Sequence, residues 1–164
     1  DLCTGSGAIA VSLSNFLGDE AEVFASDIST KALEVAKNNN EKNNTNVRFI
    51  ESNLFENIQE QKFNIIVSNP PYIRSNVINN LPKQVQNEPH LALDGGEDGL
   101  KFYKKIIEQA CNYIENGYLI LEIGYDQKED VENLLKENKN YSEIKTIQDF
   151  SGNDRCVIAK VGKI

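Results

Sequence analysis

Apolar positions follow two rhythms along this chain. Short apolar runs rich in β-branched residues, at Glu22–Ser26, Val47–Glu51, Phe63–Ser68 and Tyr118–Ile123, predict strands. Between them, apolar residues recur every three or four positions. Ile9, Leu13, Phe16 and Leu17 predict a helix from Ala8 to about Leu17, ended by Gly18. Leu33, Val35 and Ala36 predict the buried side of a second helix, roughly Thr30 to Asn40. Tyr103, Ile107, Ala110, Cys111 and Ile114 form one stripe of a helix Leu100–Glu115, with Cys111 in the core and Gly117 resetting the chain for the next strand. Asp126 with Glu129 predicts a capping box for a helix carrying Val131, Leu134 and Leu135. The last strands, Ile144–Ile147 and Arg155–Val161, are joined through Ser151-Gly152-Asn153-Asp154 without a helix, which predicts an antiparallel closing pair. The alternation predicts an α/β protein with a Rossmann-like, doubly wound, mostly parallel sheet and an antiparallel closing strand.

The run Phe63–Ser68, closed by prolines, reads as a parallel strand covered on both faces. Asn69-Pro70-Pro71-Tyr72 then sit at its carboxyl end, the edge where open α/β sheets bind ligands. Two successive prolines fix φ and remove two backbone donors, leaving a stiff row of carbonyl oxygens. Asn69 adds an amide, and Tyr72 an aromatic face. The set suits a planar NH2 group: the Asn69 side-chain oxygen and the Pro70 carbonyl each accept one N–H, while Tyr72 covers the plane. The same residues also fit a Pro-stiffened turn with Asn as turn former and Tyr as edge packing.

The start of the chain shifts that balance. Cys3-Thr4-Gly5-Ser6-Gly7 is a Gly-rich turn at a helix N-terminus, where glycines permit close approach of a ligand to the backbone. Asp27 follows ~20 residues later at a strand end, where an acid can take ribose hydroxyls. The plainer alternative is a helix-entry turn, with Asp27 capping the helix that begins near Ser29 or Thr30. Ser52-Asn53-Leu54-Phe55 leaves the third strand, so Asn53 can bond an adenine edge and Leu54 pack on its face. Alternatively, Asn53 only turns the chain and Leu54 only fills the core. The ~5 strand residues expected before the Gly-rich turn are lacking, so most of the first strand is expected to lie upstream.

Composition narrows the partners. The 164 residues are 40% hydrophobic and 26% charged, which fits one domain. A net charge of -8 and a pI near 4.7 disfavour a broad phosphate-binding surface, so no stable nucleic-acid binding is expected. Cys3, Cys111, Cys156 and the sole histidine, His90, are too scattered for a disulfide framework or a metal cluster, and reduced thiols point to the cytosol. No apolar run approaches the ~18 residues of a membrane span, so no membrane partner is expected. The polar stretch Ile73–Asp98 is long enough to border a substrate site, with Glu88–Leu93 packed back against it. His90 reads as structural or exposed. Glu122, near a strand end, reads as structural, with a reach into the site as the alternative.

The Gly-rich turn, the acid after strand two and Asn-Pro-Pro-Tyr after strand four together resemble class I S-adenosylmethionine-dependent methyltransferases acting on planar nitrogens. Within that class, the stretches 1–10, 67–73, 88–93 and 96–100 resemble the HemK/PrmC family, across essentially the whole chain. The resemblance implies methylation of the glutamine in the Gly-Gly-Gln motif of peptide chain release factors, with S-adenosylhomocysteine as product. It also implies a seven-stranded sheet whose strands six and seven are antiparallel, and an N-terminal helical substrate-binding domain that these 164 residues lack. It assigns Thr4, Gly5, Ser6 and Gly7 to the methionine end of the cofactor, Asp27 to its ribose, and Asn53 and Leu54 to its adenine. Asn69, Pro70, Pro71 and Tyr72 hold the glutamine amide, and Asn69 counts among the cofactor contacts as well. Cys3 and Leu54 depart from the family's usual glycine and aromatic residue. A cytoplasmic monomer is expected. The same four residues would also suit an exocyclic amine of adenine or guanine in a flipped base, a reading that the acidity opposes. A nucleotide-binding oxidoreductase or regulatory module would use the Gly-rich turn alone, with Ala10 at its third position.

Overall fold

Main-chain pairing sorts the described residues of the computed structural model, 1–59 and 61–162, into two units, Asp1–Gln61 and one beginning at Lys62. In the first, α1 (Ala8–Leu17), β1 (Val23–Asp27), α2 (Thr30–Lys42) and β2 (Val47–Glu51) follow one another. β1 and β2 are parallel, with Val23 opposite Val47 and Asp27 opposite Glu51. Leu2 makes a parallel bridge to Ser26. Val23, Ala25 and Val47 form a core cluster with Ala10 and Val11 of α1, and Phe49 packs against it.

The buried face of α1 is Ala10, Val11 and Ser14, not the expected stripe: Leu13 and Leu17 are exposed, and Phe16 is 91% exposed. The reason is proximity. A Cβ on Gly7 would sit 2.9 Å from the Ala36 Cβ, so α1 and α2 meet through small residues, and a Phe-bearing face does not fit there. On α2, Leu33 and Ala36 are buried as expected, whereas Val35 faces solvent.

The second unit runs β3 (Phe63–Ser68), a 3-10 turn (Ser75–Asn80), the one-turn helices α3 (Lys83–Gln86) and α4 (His90–Leu93), then α5 (Lys101–Ala110), β4 (Ile114–Glu122), α6 (Lys128–Glu137), β5 (Tyr141–Gln148) and β6 (Asp154–Val161). Its sheet order is β3-β4-β6-β5. β3 and β4 are parallel, and β6 runs antiparallel to both neighbours, as the closing pair predicts. Tyr103, Ile106, Ile107 and Ala110 bury α5 with Leu119, Leu121, Val131, Leu135, Val157 and Ala159 also buried.

Several expectations change here. The helix predicted to reach Glu115 ends at Ala110, and Ile114 and Glu115 begin β4. Gly117 therefore lies inside a strand, where a Cβ would fall 1.8 Å from the Asn64 carbonyl oxygen of β3. Cys111 is only half-buried. β3 is not covered on both faces: Ile66 and Ser68 are buried, but Ile65 is 54% exposed. The Asp126–Glu129 capping box does not form, because Asp126 pairs with Arg74 at 2.7 Å and Gln127 takes the N-cap position with its side chain turned elsewhere. Six strands, not seven, are present among the described residues.

Candidate active site

In the first unit the Gly-rich turn is tied down by two acids. Asp1 Oδ2 accepts from Thr4 Oγ1 at 2.5 Å and from the Ala10 N–H at 3.2 Å. Asp27 Oδ2 accepts the Gly5 N–H at 2.8 Å, and its Oδ1 accepts the Ser29 N–H at 2.9 Å. The turn closes on itself and on β1 through Gly7 N–H to Thr4 O and Thr4 N–H to Ser26 O, both 2.9 Å. Cys3, Gly5 and Gly7 hold φ of 58°, 55° and 80°. A Cβ on Gly5 would meet nothing within 4 Å, so the turn presents bare backbone to open space. The Ser6 carbonyl accepts from Asn39 Nδ2 at 2.9 Å, and Thr4 is buried. Asp27 is not the cap of α2; Ser29 is, accepting the Ala32 N–H at 3.2 Å.

Asn53 and Leu54 follow β2 in a turn. Asn53 Nδ2 donates to Glu56 Oε1 at 2.6 Å. Leu54 adopts φ 52°, its carbonyl accepts from Ser52 Oγ at 2.8 Å, and its side chain is buried. These residues suit an adenosine-type group: an open backbone cradle, an acid at a strand end, and an amide oxygen able to accept from an exocyclic amine.

In the second unit, Asn69 leaves the carboxyl end of β3 with an exposed side chain, near enough to the Glu122 carboxylate to favour its charged form. Pro70 is fully buried, and Pro71 and Tyr72 are half-buried. The back of this loop is filled. Gln127, 2% exposed, donates from Nε2 to the carbonyls of Tyr72 (3.0 Å) and Gly99 (3.3 Å) and accepts the Gly124 N–H at 2.9 Å. A Cβ on Gly95 would lie 2.7 Å from the Tyr72 Cα, and one on Gly99 would lie 2.6 Å from its carbonyl oxygen. The loop is further pinned by Ile73 N–H to Leu93 O at 2.9 Å and Gly95 N–H to Ile73 O at 2.8 Å. Of the expected Glu88–Leu93 segment, Leu93 reaches Ile73, while the close contacts to Tyr72 come from Gly95 and Gly99 beyond it.

Charge at this turn is arranged around Glu122. Burial pushes its carboxyl above the ordinary value, while the charge of Arg155 and the nearby Asn69 amide pull it part of the way back. Burial, then Glu122, also raises the Tyr72 phenol, against the opposing charge of Arg155, so Tyr72 stays neutral. Arg155 is itself held by Asp149 Oδ2 at 3.3 Å and by the Ile123 carbonyl at 3.2 Å. His90 stands exposed beside Asp94 at 3.8 Å.

Each predicted residue thus lies in one of two sets, Thr4, Gly5, Ser6, Gly7, Asp27, Asn53 and Leu54 in the first unit, and Asn69 to Tyr72 in the second. Sequence reasoning missed Asp1, Gln127 and Arg155, and gave Glu122 a structural role. Only Glu122 carried a signal, a carboxylate at a strand's carboxyl end.

The fold is that of α/β methyltransferases. The chain superposes with a TM-score of 0.67 on a 16S rRNA methyltransferase from Thermus thermophilus solved in complex with AdoMet and guanosine, at 20% identity, over 98% of this chain and 36% of that one. The chain belongs to the methyltransferase small domain family, whose model matches residues 1–97. It is 43% identical over 164 residues to a release factor glutamine methyltransferase of Fusobacterium nucleatum, covering 98% of this chain and 46% of that protein. It is 47% identical over 130 residues to a ribosomal protein uL3 glutamine methyltransferase of Francisella tularensis, covering 77% of this chain and 41% of that protein. The chain therefore spans about half the length of the curated relatives it matches.

Proposed function

We propose that this chain is the methyltransferase domain, residues 1–164, of a protein-(glutamine-N5) methyltransferase. It transfers a methyl group from S-adenosylmethionine to the side-chain amide nitrogen of the glutamine in the Gly-Gly-Gln motif of peptide chain release factors. In this reading it is part of a longer cytoplasmic, monomeric enzyme, with an N-terminal helical domain and the rest of a first strand completing a seven-stranded doubly wound sheet. Relatives of about twice its length, named for that reaction, support it.

The observation that carries the reading is the placement of Asn69: exposed at the carboxyl end of β3, on the strand edge it shares with Glu122, and followed by the two prolines. An amide nitrogen is a poor nucleophile because its lone pair is delocalised. Asn69 Oδ1 and the Pro70 carbonyl accept its two N–H groups, fix its orientation and favour positive charge building on nitrogen. Orientation of this kind supplies up to roughly 7–11 kcal/mol in the best-aligned reactions. Tyr72, a neutral phenol, covers the amide plane.

The first unit fits the cofactor. Gly5, with open space where a side chain would be, lets the methionine end approach the turn, with Thr4, Ser6 and Gly7 beside it. Asp27 takes the ribose hydroxyls on the lone pairs that Gly5 and Ser29 leave, and Asn53 takes the adenine amine with Leu54 behind it. When bound, S-adenosylmethionine supplies a methyl group on a positively charged sulfur and leaves as S-adenosylhomocysteine. The proton lost from nitrogen passes to water, so no dedicated base is assigned.

The Francisella relative favours one second reading, in which the glutamine belongs to ribosomal protein uL3. Radiolabelled methyl transfer by the full-length protein to purified release factor, to the same factor with Gln→Ala in its Gly-Gly-Gln motif, and to uL3 tests both. Label on the wild-type factor and none on the Gln→Ala factor is expected. Label on uL3 alone would replace the first substrate by the second, and label on neither would overturn the proposal.

A further inference from the structure

Building on this reading, we propose that Glu122 is a positioning residue: its carboxylate accepts the Asn69 side-chain N–H and thereby fixes which end of that amide faces the substrate nitrogen. The register makes the two residues neighbours. Ser68 lies opposite Leu121 across the parallel β3–β4 pair, so Asn69 and Glu122 leave adjacent strand ends together. On the other side Glu122 lies opposite Cys156 of β6, which brings Arg155 to the same edge, its carbonyl accepting the Ile123 N–H at 2.9 Å.

An asparagine side chain needs such a partner to do this work. Its oxygen and its NH2 group are nearly equal in size, and a half-turn about the last side-chain bond exchanges them. With the oxygen outward, Asn69 accepts an N–H of the incoming amide. With the NH2 outward, it sets donors against donors and removes one of the two acceptors on which the proposed chemistry relies. A carboxylate beside it accepts only, so it binds the NH2 end and turns the oxygen outward. The prolines at 70 and 71 fix the backbone but leave this rotation free, and Glu122 supplies the missing constraint.

The surroundings of Glu122 favour its charged form by geometry and oppose it by burial. Arg155 of β6 provides the positive charge, itself anchored by Asp149 and the Ile123 carbonyl. From α5 the Tyr103 hydroxyl donates to the Glu122 main-chain carbonyl at 2.8 Å, and burial together with the Glu122 charge keeps this phenol neutral. From the loop after β3 come Asn69 and the neutral Tyr72, with Glu88 acting on Tyr72, and Cys156 is the remaining titratable neighbour, its thiol held protonated by burial. A protonated Glu122 becomes a donor, for which the Asn69 oxygen is the nearby acceptor, and the amide turns the wrong way. Turnover therefore declines at acid pH.

The test uses the full-length enzyme with release factor as substrate. Glu122→Ala is expected to lower kcat about 10- to 100-fold, the usual cost of removing a group that orients a reacting residue, with the KM for S-adenosylmethionine unchanged. Glu122→Gln, whose amide donates as well as accepts like the protonated acid, is expected to hold kcat at the low level of the acid form across the pH range and so to abolish the acid limb of the kcat profile. Independently of activity, the Asn69 side-chain NH2 resonances should shift with pH in the wild type and not in Glu122→Gln. Turnover of Glu122→Ala equal to wild type, or an acid limb that survives in Glu122→Gln, overturns the role. A wild-type enzyme that methylates neither release factor nor uL3 overturns the parent reading and the catalytic role with it.

Discussion

In the first unit, the groups offered to a ligand are mostly main chain, set by glycine conformations and fixed by Asp1 and Asp27. In the second they are side chains, Asn69 and Tyr72, backed by Glu122, Arg155 and Gln127. A backbone cradle tolerates many side chains and fails when its dihedral angles fail. A side-chain cradle keeps its fold and fails when one atom is lost. The difference predicts how each region responds to substitution.

The largest effect is expected at the exposed end of the side-chain cradle. Asn69→Ala should lower kcat by about 10²–10³-fold, the magnitude for a lost group that stabilises developing charge. Calorimetric binding of S-adenosylhomocysteine should stay near wild type, and a variant turning over at the wild-type rate would remove Asn69 from the mechanism. Next comes Gln127→Leu, which keeps the volume but strands the Gly124 N–H and the Tyr72 and Gly99 carbonyls. Its stability should fall by about 3 kcal/mol in chemical denaturation, each stranded buried group costing ~1–3 kcal/mol.

Within the backbone cradle, two glycines separate strain from crowding. Gly7→Ala suffers both a left-handed φ and a Cβ 2.9 Å from the Ala36 Cβ, so it should destabilise by about 2–3 kcal/mol. Gly5→Ala suffers the left-handed φ alone, costing about 1 kcal/mol, yet it should weaken cofactor binding more than its melting temperature implies, because its methyl group enters the open space. Thermal melts with and without S-adenosylhomocysteine distinguish the two, and equal behaviour would argue against a ligand at Gly5.

The smallest effect is a pH dependence. Burial holds the Glu122 carboxyl above its unfolded value of 4.5, so the folded state binds this proton more tightly than the unfolded state. The stability it contributes is full below the unfolded value and is lost as pH rises through the folded one. Stability should therefore fall across the window in which turnover rises, and Glu122→Gln should flatten that part of a stability profile measured by denaturation at a series of pH values.

Sequence pattern located β3 to the residue, because a β-branched run closed by two prolines has few other readings, and it placed Asn69 at that strand's end. It also gave β2, α1 and the antiparallel closing pair. It overextended α5 because Ile114 continues a helical stripe as well as it starts a strand, and the 1.8 Å approach that demands glycine at 117 comes from Asn64, far away in sequence. The face of α1 was misjudged because ranking by hydrophobicity favours Phe16, whereas the helix contact admits only small residues. The Asp126–Glu129 signature failed to a competitor 52 residues away, Arg74. Gln127 left no trace at all: its partners are the nearby Gly124 N–H, the distant Tyr72 and Gly99 carbonyls and the Tyr103 hydroxyl, and a polar residue satisfied that way has no periodicity.

The amide of Gln127 also constrains inheritance. Tyr72, Gly95, Gly99, Gly124 and Gln127 meet in one space with no slack, so a replacement at any of them leaves a gap, a collision or an orphaned dipole at the others. Drift at these five places should be correlated, arriving as a block or not at all, while neighbouring surface positions wander freely.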